Sequence, residues 1–372
     1  MQSRHRVFAE DLLLPELEEG EDHFDSVPDS LVLLIFNKLA DARSLGRCSA
    51  VSRRFNALVP LVDDACLRID RVITDGGAEG GDALGVPRQQ RGGVLSHLLK
   101  AVFQAVLKPF GHCDGKHAAG GIGNGKHAPP PHHSPAQVLK NFSSIRNLRM
   151  ELPVSDVGTD DGVLLKWKAV FGSTLQTCVI LGGTKLDRHA HAHAHPPADH
   201  DDDTNNNNSN GSIPESFYTN GGLKLRVVWT ISSLIAAATR HYLLREIVKE
   251  HPTLERVELT DAHGQGMLCM ERAQLKEFTD KPLAAAAAAN RTQVPACNMK
   301  LRYAPMLELS DGTRIQGATL VVIKPVGETG GIGGGGRKEL DEFVADAFDG
   351  PYREAVWALS KRRTYLLEMN GF

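Results

Sequence analysis

Four stretches of the chain carry residue types at spacings that chemistry uses. Gly120-x-x-x-x-Gly125-Lys126-His127 nearly reproduces a phosphate-cradling loop. In such a loop backbone N–H groups wrap the phosphates, the lysine neutralises them and a following hydroxyl residue holds Mg²⁺. Here His127 stands where that hydroxyl belongs, no apolar strand leads in, and Pro129-Pro130-Pro131 forbids the helix that should follow. Gly331-x-Gly333-x-x-Gly336 has dinucleotide-loop spacing and follows the apolar run Thr319 to Ile323. The chain ends at Phe372, too soon for the second strand and terminal acid that would hold a ribose. His189, His191, His193 and His195 alternate with Ala ahead of Asp199, Asp201, Asp202 and Asp203. Imidazole and carboxylate suit Zn²⁺, Cu²⁺ or Ni²⁺, but a low-complexity tract supplies neither fixed geometry nor outer support. Lys361-Arg362-Arg363 reads as the solvated face of a helix rather than a nuclear signal. No G-x-S-x-G elbow and no H-E-x-x-H occurs. The expectation is a chain with no catalytic residue, no cofactor and no metal.

Composition narrows the class further. At 372 residues the prior is two domains, perhaps three by length alone. A net charge of −3 excludes the strong basic field of a general nucleic-acid binder, so no direct nucleic-acid partner is expected. Apolar runs such as Leu31 to Phe36 are far below the ~20 residues of a membrane span, and the N-terminus lacks a signal-peptide core. No membrane partner is expected, and the protein should be intracellular, in nucleus or cytoplasm or both. Cysteines 48, 66, 113, 178, 269 and 297 form no C-x-x-C pair, which fits free thiols in a reducing compartment.

The elements that would position any site lie between low-complexity stretches. Residues 76–136 read as a flexible linker containing a short helix at 94–107, residues 187–212 as a disordered insert, 283–289 as an Ala run and 327–337 as a Gly-rich loop. Over 24–70, Ser26 and Pro28 have the form of a helix start, and Leu31, Leu34, Ile35 and Leu39 fall on one helical face. Asp41 is placed to cap a second helix and Ser52 a third. Three short helices hold too little core to be secure alone, so they call for a partner surface.

Three later segments share an apolar-x-x-apolar-x-apolar pattern: Ile145/Leu148/Met150, Leu175/Cys178/Ile180 and Leu254/Val257/Leu259. The pattern resembles the strand of a leucine-rich repeat, although Pro153, Gly183 and Ala262 stand where its Asn belongs. Helices are expected at VLLKWKAVF, capped by Asp161 and stopped by Gly172, and from Val227 to Lys249. That alternation predicts parallel strands with crossover helices over 138–326. MLCMERAQLKEF at 267–278 reads as a strand then a helix, 300–326 as a hairpin around Asp311-Gly312, and 338–372 as two helices broken at Gly350-Pro351. The fold class is mixed α/β: an N-terminal three-helix unit, then an irregular leucine-rich-repeat-like region with low-complexity inserts.

The stretch FDSVPDSLVLLIFNKLADARSLGRCSAVSRRFNALV resembles an F-box. Val27-Pro28, Leu31, Ile35-Phe36, Leu39, Leu45, Cys48, Val51-Ser52-Arg53-Arg54-Phe55 and Leu58 follow the family order, with Val27 for the usual Leu and no Trp after the third helix. The resemblance implies docking on the Skp adaptor, and through it cullin and RING subunits, with Val27, Pro28, Leu31, Ile35, Phe36, Leu45, Val51, Arg53, Phe55 and Leu58 as adaptor-binding residues. Which of these face a partner and which face the unit's own core stays open from sequence. The order of segments, with VLLKWKAVFGSTLQTCVIL and LREIVKEHPTLERVELTDAHGQGMLCMERAQLKEF, resembles plant F-box proteins of the auxin-up-regulated group. That implies a substrate-recognition subunit of an SCF-type cullin-RING ubiquitin ligase with an unnamed target protein, linked to auxin and cytokinin responses. The alternative is a non-degradative F-box scaffold or transcriptional regulator.

Overall fold

The computed structural model describes residues 23–69, 135–186 apart from 154, 156 and 161, 213–280, 292–327 and 342–372. The helix expected at 94–107, both glycine loops, the histidine tract, the Ala run and the cap at Asp161 lie outside the described residues.

Three short helices open the described chain: α1 (Asp29–Leu39), α2 (Ala42–Ser49) and α3 (Arg53–Leu58). The expected caps hold at two of them. Asp41 Oδ2 accepts from Ser44 N at 2.9 Å and Ser52 Oγ from Phe55 N at 3.1 Å. At α1 the expectation fails: Pro28 occupies the cap position, and the Ser26 hydroxyl instead donates back to the His23 carbonyl. Val32, Phe36, Leu45, Phe55 and Leu58 close the core between the helices. Phe55 meets Phe24 and Phe36 edge-on at ring distances of 5.4 and 5.3 Å.

The remaining elements are β1 (Asp64–Arg68), α4 (Pro135–Leu139), β2 (Asn147–Leu152), β3 (Val163–Phe171), β4 (Leu175–Leu186) and the long α5 (Gly222–Glu250). Then come β5 (Arg256–Asp261), β6 (Gly266–Glu271), α6 (Arg272–Asp280), β7 (Cys297–Glu308), β8 (Arg314–Pro325), α7 (Pro351–Ser360) and β9 (Tyr365–Met369). The strands form one nine-stranded sheet in the order β1-β2-β5-β6-β3-β4-β8-β7-β9. β1/β2, β2/β5 and β3/β6 run parallel and the other neighbours antiparallel. The fold is mixed α/β, with helices at the N-terminus and a large sheet behind them.

Three expectations need correction. VLLKWKAVF is strand β3, not a helix: Leu165, Trp167, Ala169 and Phe171 are buried while Lys166 and Lys168 alternate between them. That period of two outweighs helix propensity once an antiparallel partner is available in β4. No crossover helix forms over 163–171, and among the described residues α5 lies between β4 and β5. The repeat reading is not confirmed: of its three strands only two are neighbours. β2 and β5 are parallel neighbours that set Leu148 against Val257 and Met150 against Leu259, whereas β4 lies three places away between β3 and β8. At the C-terminus, residues 342–345 and α7 are helical, but Tyr365–Met369 is the strand β9 because it finds β7 to pair with. The long helix, the strand-then-helix at 267–278 and the hairpin at Asp311-Gly312 form as expected; Gly312 takes φ 79° and Asp311 Oδ1 accepts from Thr313 N at 2.8 Å.

Each side of the sheet has its own core. On one, α5 packs across β3, β4, β6 and β8, and its apolar cluster runs on without a break into the N-terminal helices. On the other, α7 and residues 344–348 cover Leu164, Val179, Leu181, Leu320 and Val322. Gly182 permits the close approach of α5: a Cβ there would sit 2.6 Å from the Trp229 ring. Arg240 on α5 is fully buried, its guanidinium 4.6 Å over Trp167, and donates to Leu259 O (2.9 Å), Gly266 O (2.7 Å) and Asp261 Oδ2 (3.0 Å). It ties the helix to the β5–β6 turn.

Candidate functional site: an apolar face on the N-terminal helices

Helix α1 is apolar on two sides. Val32 and Phe36, four residues apart, point into the core, while Leu31, Leu34, Ile35 and Leu39 form an adjoining stripe and remain 50%, 54%, 49% and 42% exposed. Val51, in the turn between α2 and α3, is 73% exposed, and Phe24 and Leu61 are about half so. An apolar stripe of this kind on a small helical unit is the type of surface that protein partners cover.

The ten residues named from sequence divide accordingly. Pro28, Leu31, Ile35, Val51 and Arg53 are exposed and Val27 is half-buried; Phe36, Leu45, Phe55 and Leu58 are core. The two adjacent arginines also part company. Arg53 faces solvent, whereas Arg54 donates to Asp29 Oδ1 (2.8 Å) and to the carbonyls of Phe24 (2.6 Å) and Val27, holding the residues before α1 against α3. Leu34 and Leu39 belong to the outward stripe and are the omissions from the sequence-based set. Their helical spacing with Leu31 was visible, but spacing alone does not say which of two apolar faces is covered.

The helical unit is fastened to the sheet. Asn37 Oδ1 accepts from Asp63 N (2.8 Å) and Asp64 N (3.3 Å), and Cys66 N donates to Ala40 O at 2.8 Å. Ala40 reaches that position in a left-handed conformation, φ 51°, the one such non-glycine residue among those described. Strand β1 then pairs with β2 from Asp64↔Asn147 to Arg68↔Glu151.

Elsewhere no arrangement fit for catalysis stands out among the described residues. Ser155 Oγ lies 3.2 Å from both Asp261 Oδ1 and His263 Nδ1, so the hydroxyl sits between acid and imidazole. In a nucleophile relay the imidazole sits between the other two. His241 stacks on Phe171 at 4.5 Å, and burial draws its pKa down to about 4, partly offset by its hydrogen bond to Gly172 O. Burial pushes Cys269 up to about 12 and Cys297 up to about 11, so neither is an activated thiol. Among the described residues no helix is long and apolar enough to cross a membrane, and no cluster of His, Cys, Asp and Glu is placed to hold a metal.

Comparison with known proteins agrees with this geometry. The F-box-like family matches residues 24–67, the three helices together with most of β1. The chain is 47% identical to the F-box protein At5g46170 of Arabidopsis thaliana over 94% of each chain. It is also 47% identical to the F-box protein At4g18380 of the same plant over 96% of each. Identity to the Arabidopsis F-box protein AUF1 is 34%, across 94% of this chain and all of that one. No solved structure matches. F-box domains in general dock on Skp adaptors, and F-box proteins in general are non-catalytic adaptor subunits. A helical unit with an outward apolar stripe, matched in its own right and carried in a chain alike from end to end, leads to one statement: this protein belongs to the F-box protein family.

Proposed function

We propose that the chain is the substrate-recognition subunit of an SCF-type cullin-RING ubiquitin ligase. The stripe of Leu31, Leu34 and Ile35, with Val51 and Arg53, docks on the Skp adaptor, and the adaptor brings in the cullin and RING subunits. The sheet beyond β1 holds a target protein. The chain contributes proximity, raising the target's concentration near a conjugating enzyme that carries out the acyl transfer. The outcome is ubiquitination and proteasomal degradation of the target, in nucleus or cytoplasm, within the hormone responses implied by the auxin-up-regulated group. The observation that supports this most is the apolar stripe left exposed on α1 while Val32 and Phe36 fill the core.

Separating surface from core tests it. Leu31→Asp with Ile35→Asp should leave the melting temperature within a few degrees and abolish co-purification with the adaptor, because a charge buried at an interface without a partner is costly. Leu45→Asp, at a fully buried position, should unfold the helical unit instead. Full adaptor recovery by the folded Leu31/Ile35 variant would refute the docking face.

A further inference from the structure

The two edges of the sheet are treated differently. At the β1 edge, Ala40 accepts from Cys66 N and the N-terminal helices lie alongside. At the other end β9 pairs with β7, and no further strand among the described residues pairs with its outer edge. Past the end of that ladder, Val294 and Phe372 exchange both backbone hydrogen bonds at 3.0 Å. Ala296 O accepts from Val326 N and so faces β8, which turns Cys297, Met299 and Leu301 towards β9 and leaves the N–H and C=O groups of Leu366 and Glu368 pointing outward. Open edges are normally blunted with Pro or with Lys in the strand itself. Tyr-Leu-Leu-Glu-Met contains neither, and Leu366 is 76% exposed.

The charge around this edge is mostly positive. Lys300 lies opposite Leu366, and Lys324 lies one strand further in, opposite Asn298. Lys361, Arg362 and Arg363 lead directly into β9. Arg302 is on the same face of β7 as Lys300, and its buried Nε has no hydrogen-bond partner. Lys361 rides 3.0 Å over the exposed Trp357 ring, and Arg363 5.8 Å from that of Tyr365. Glu354 holds Ser310, and Asp346 faces Arg353. Glu368 is the one acid within β9.

We propose that β9 is the target-capture edge: an extended, acidic segment of the target protein adds to the sheet as a tenth strand beside Tyr365–Met369. Main-chain hydrogen bonds to Leu366 and Glu368 would supply affinity. Leu366 and Trp357 would receive alternate apolar side chains, and the surrounding cations would select acidic ones. This rests on the substrate-receptor reading and names the surface that serves it.

The test uses the full chain and three labelled twelve-residue peptides in fluorescence anisotropy: alternating Val and Glu, alternating Val and Lys, and alternating Pro and Glu. The Val/Glu peptide should bind at least tenfold more tightly than either of the others, and its affinity should fall as salt is raised. Lys300→Glu with Arg363→Glu, both exposed, should weaken it at least tenfold without altering the melting temperature or adaptor co-purification. Equal binding of the Val/Glu and Pro/Glu peptides would show charge without strand addition and overturn the proposal. So would equal binding of the Val/Lys peptide, or indifference to the charge reversals. A concentration-dependent dimer abolished by Leu366→Lys would assign the edge to a second copy and overturn it as well. Loss of adaptor binding by the unmodified chain would sink the ligase reading but leave the peptide result standing, so the two failures are distinguishable.

Discussion

Asp261→Asn should be among the most damaging single-atom changes available in this protein. In the native chain Asp261 Oδ1 accepts from His263 N (3.1 Å), Gln265 N (3.0 Å) and Ser155 Oγ (3.2 Å), and Oδ2 from Gly266 N (2.8 Å) and Arg240 Nη2 (3.0 Å). An amide offers one acceptor and one donor group. Whichever way it turns, its NH₂ opposes at least two of those donors, and Arg240 loses its counter-charge while both residues remain fully buried. Breaking a buried ion pair by removing one partner costs about 3–5 kcal/mol, a large share of the ~5–15 kcal/mol that holds a typical domain folded. Urea denaturation read by tryptophan fluorescence is the assay, since Trp167 stacks on Arg240 and reports from the spot. The midpoint should fall with the slope unchanged. The acid limb supplies a second readout. Burial raises the Asp261 pKa, but the backbone hydrogen bonds from Gln265 and Gly266 and the charge of Arg240 outweigh it, so the carboxyl titrates below its ordinary value. Its contribution is complete above the unfolded value near 4 and disappears as pH falls through the native value; Asp261→Asn should lack that limb. A loss of stability under about 1 kcal/mol would refute the view that this network ties α5 to the sheet.

Three other outcomes are expected. Ala40→Gly should stabilise the chain by about 0.5–1 kcal/mol in the same urea assay, because glycine adopts φ 51° without the strain alanine bears; destabilisation would refute the strain. His241 is neutral in the native state with a pKa of about 4, so the unfolded chain takes up the extra proton as pH drops from about 6.5. Stability should therefore fall by about 3 kcal/mol between pH 7 and pH 4, and a His241→Phe variant should show a flatter profile over that window. A chain beginning at residue 71 should melt several degrees lower than the whole protein, because losing β1 uncovers Leu148 and Met150 on β2; an unchanged melting temperature would contradict the shared sheet.

How far the sequence reaches differs from element to element, for physical reasons. The N-terminal helices were readable because capping is local: Asp41 and Ser52 sit where their side chains meet backbone donors three residues on. The hairpin at Asp311-Gly312 was readable because Gly supplies the positive φ of the turn. β3 and β9 were misread as helical because what makes them strands is remote, β4 and β6 for one and β7 for the other. The exposed stripe on α1 was half legible. Family order picked out the segment, but Leu45 and Ile35 look alike in sequence, and only packing sends one inward and leaves the other in water. The buried Arg240–Asp261 pair left no signal at all, because charges far apart in sequence normally stay on the surface.

The bonding of Asn37 and Ala40 to β1 has a consequence for anyone who would exchange recognition parts between proteins of this family. The helices look like a cassette that ends at Leu58, yet the seam they present to the sheet is a strand with committed neighbours on both sides. A chimera spliced after α3 would set foreign helices against a native β1, with Asn37 and Ala40 required to meet the backbone of Asp63, Asp64 and Cys66. Splicing after Arg68 instead carries the whole seam with the helices and confines the mismatch to one parallel ladder. Natural recombination faces the same geometry, so exchange in this lineage should favour breakpoints in the segment between β1 and α4 over any within the helices.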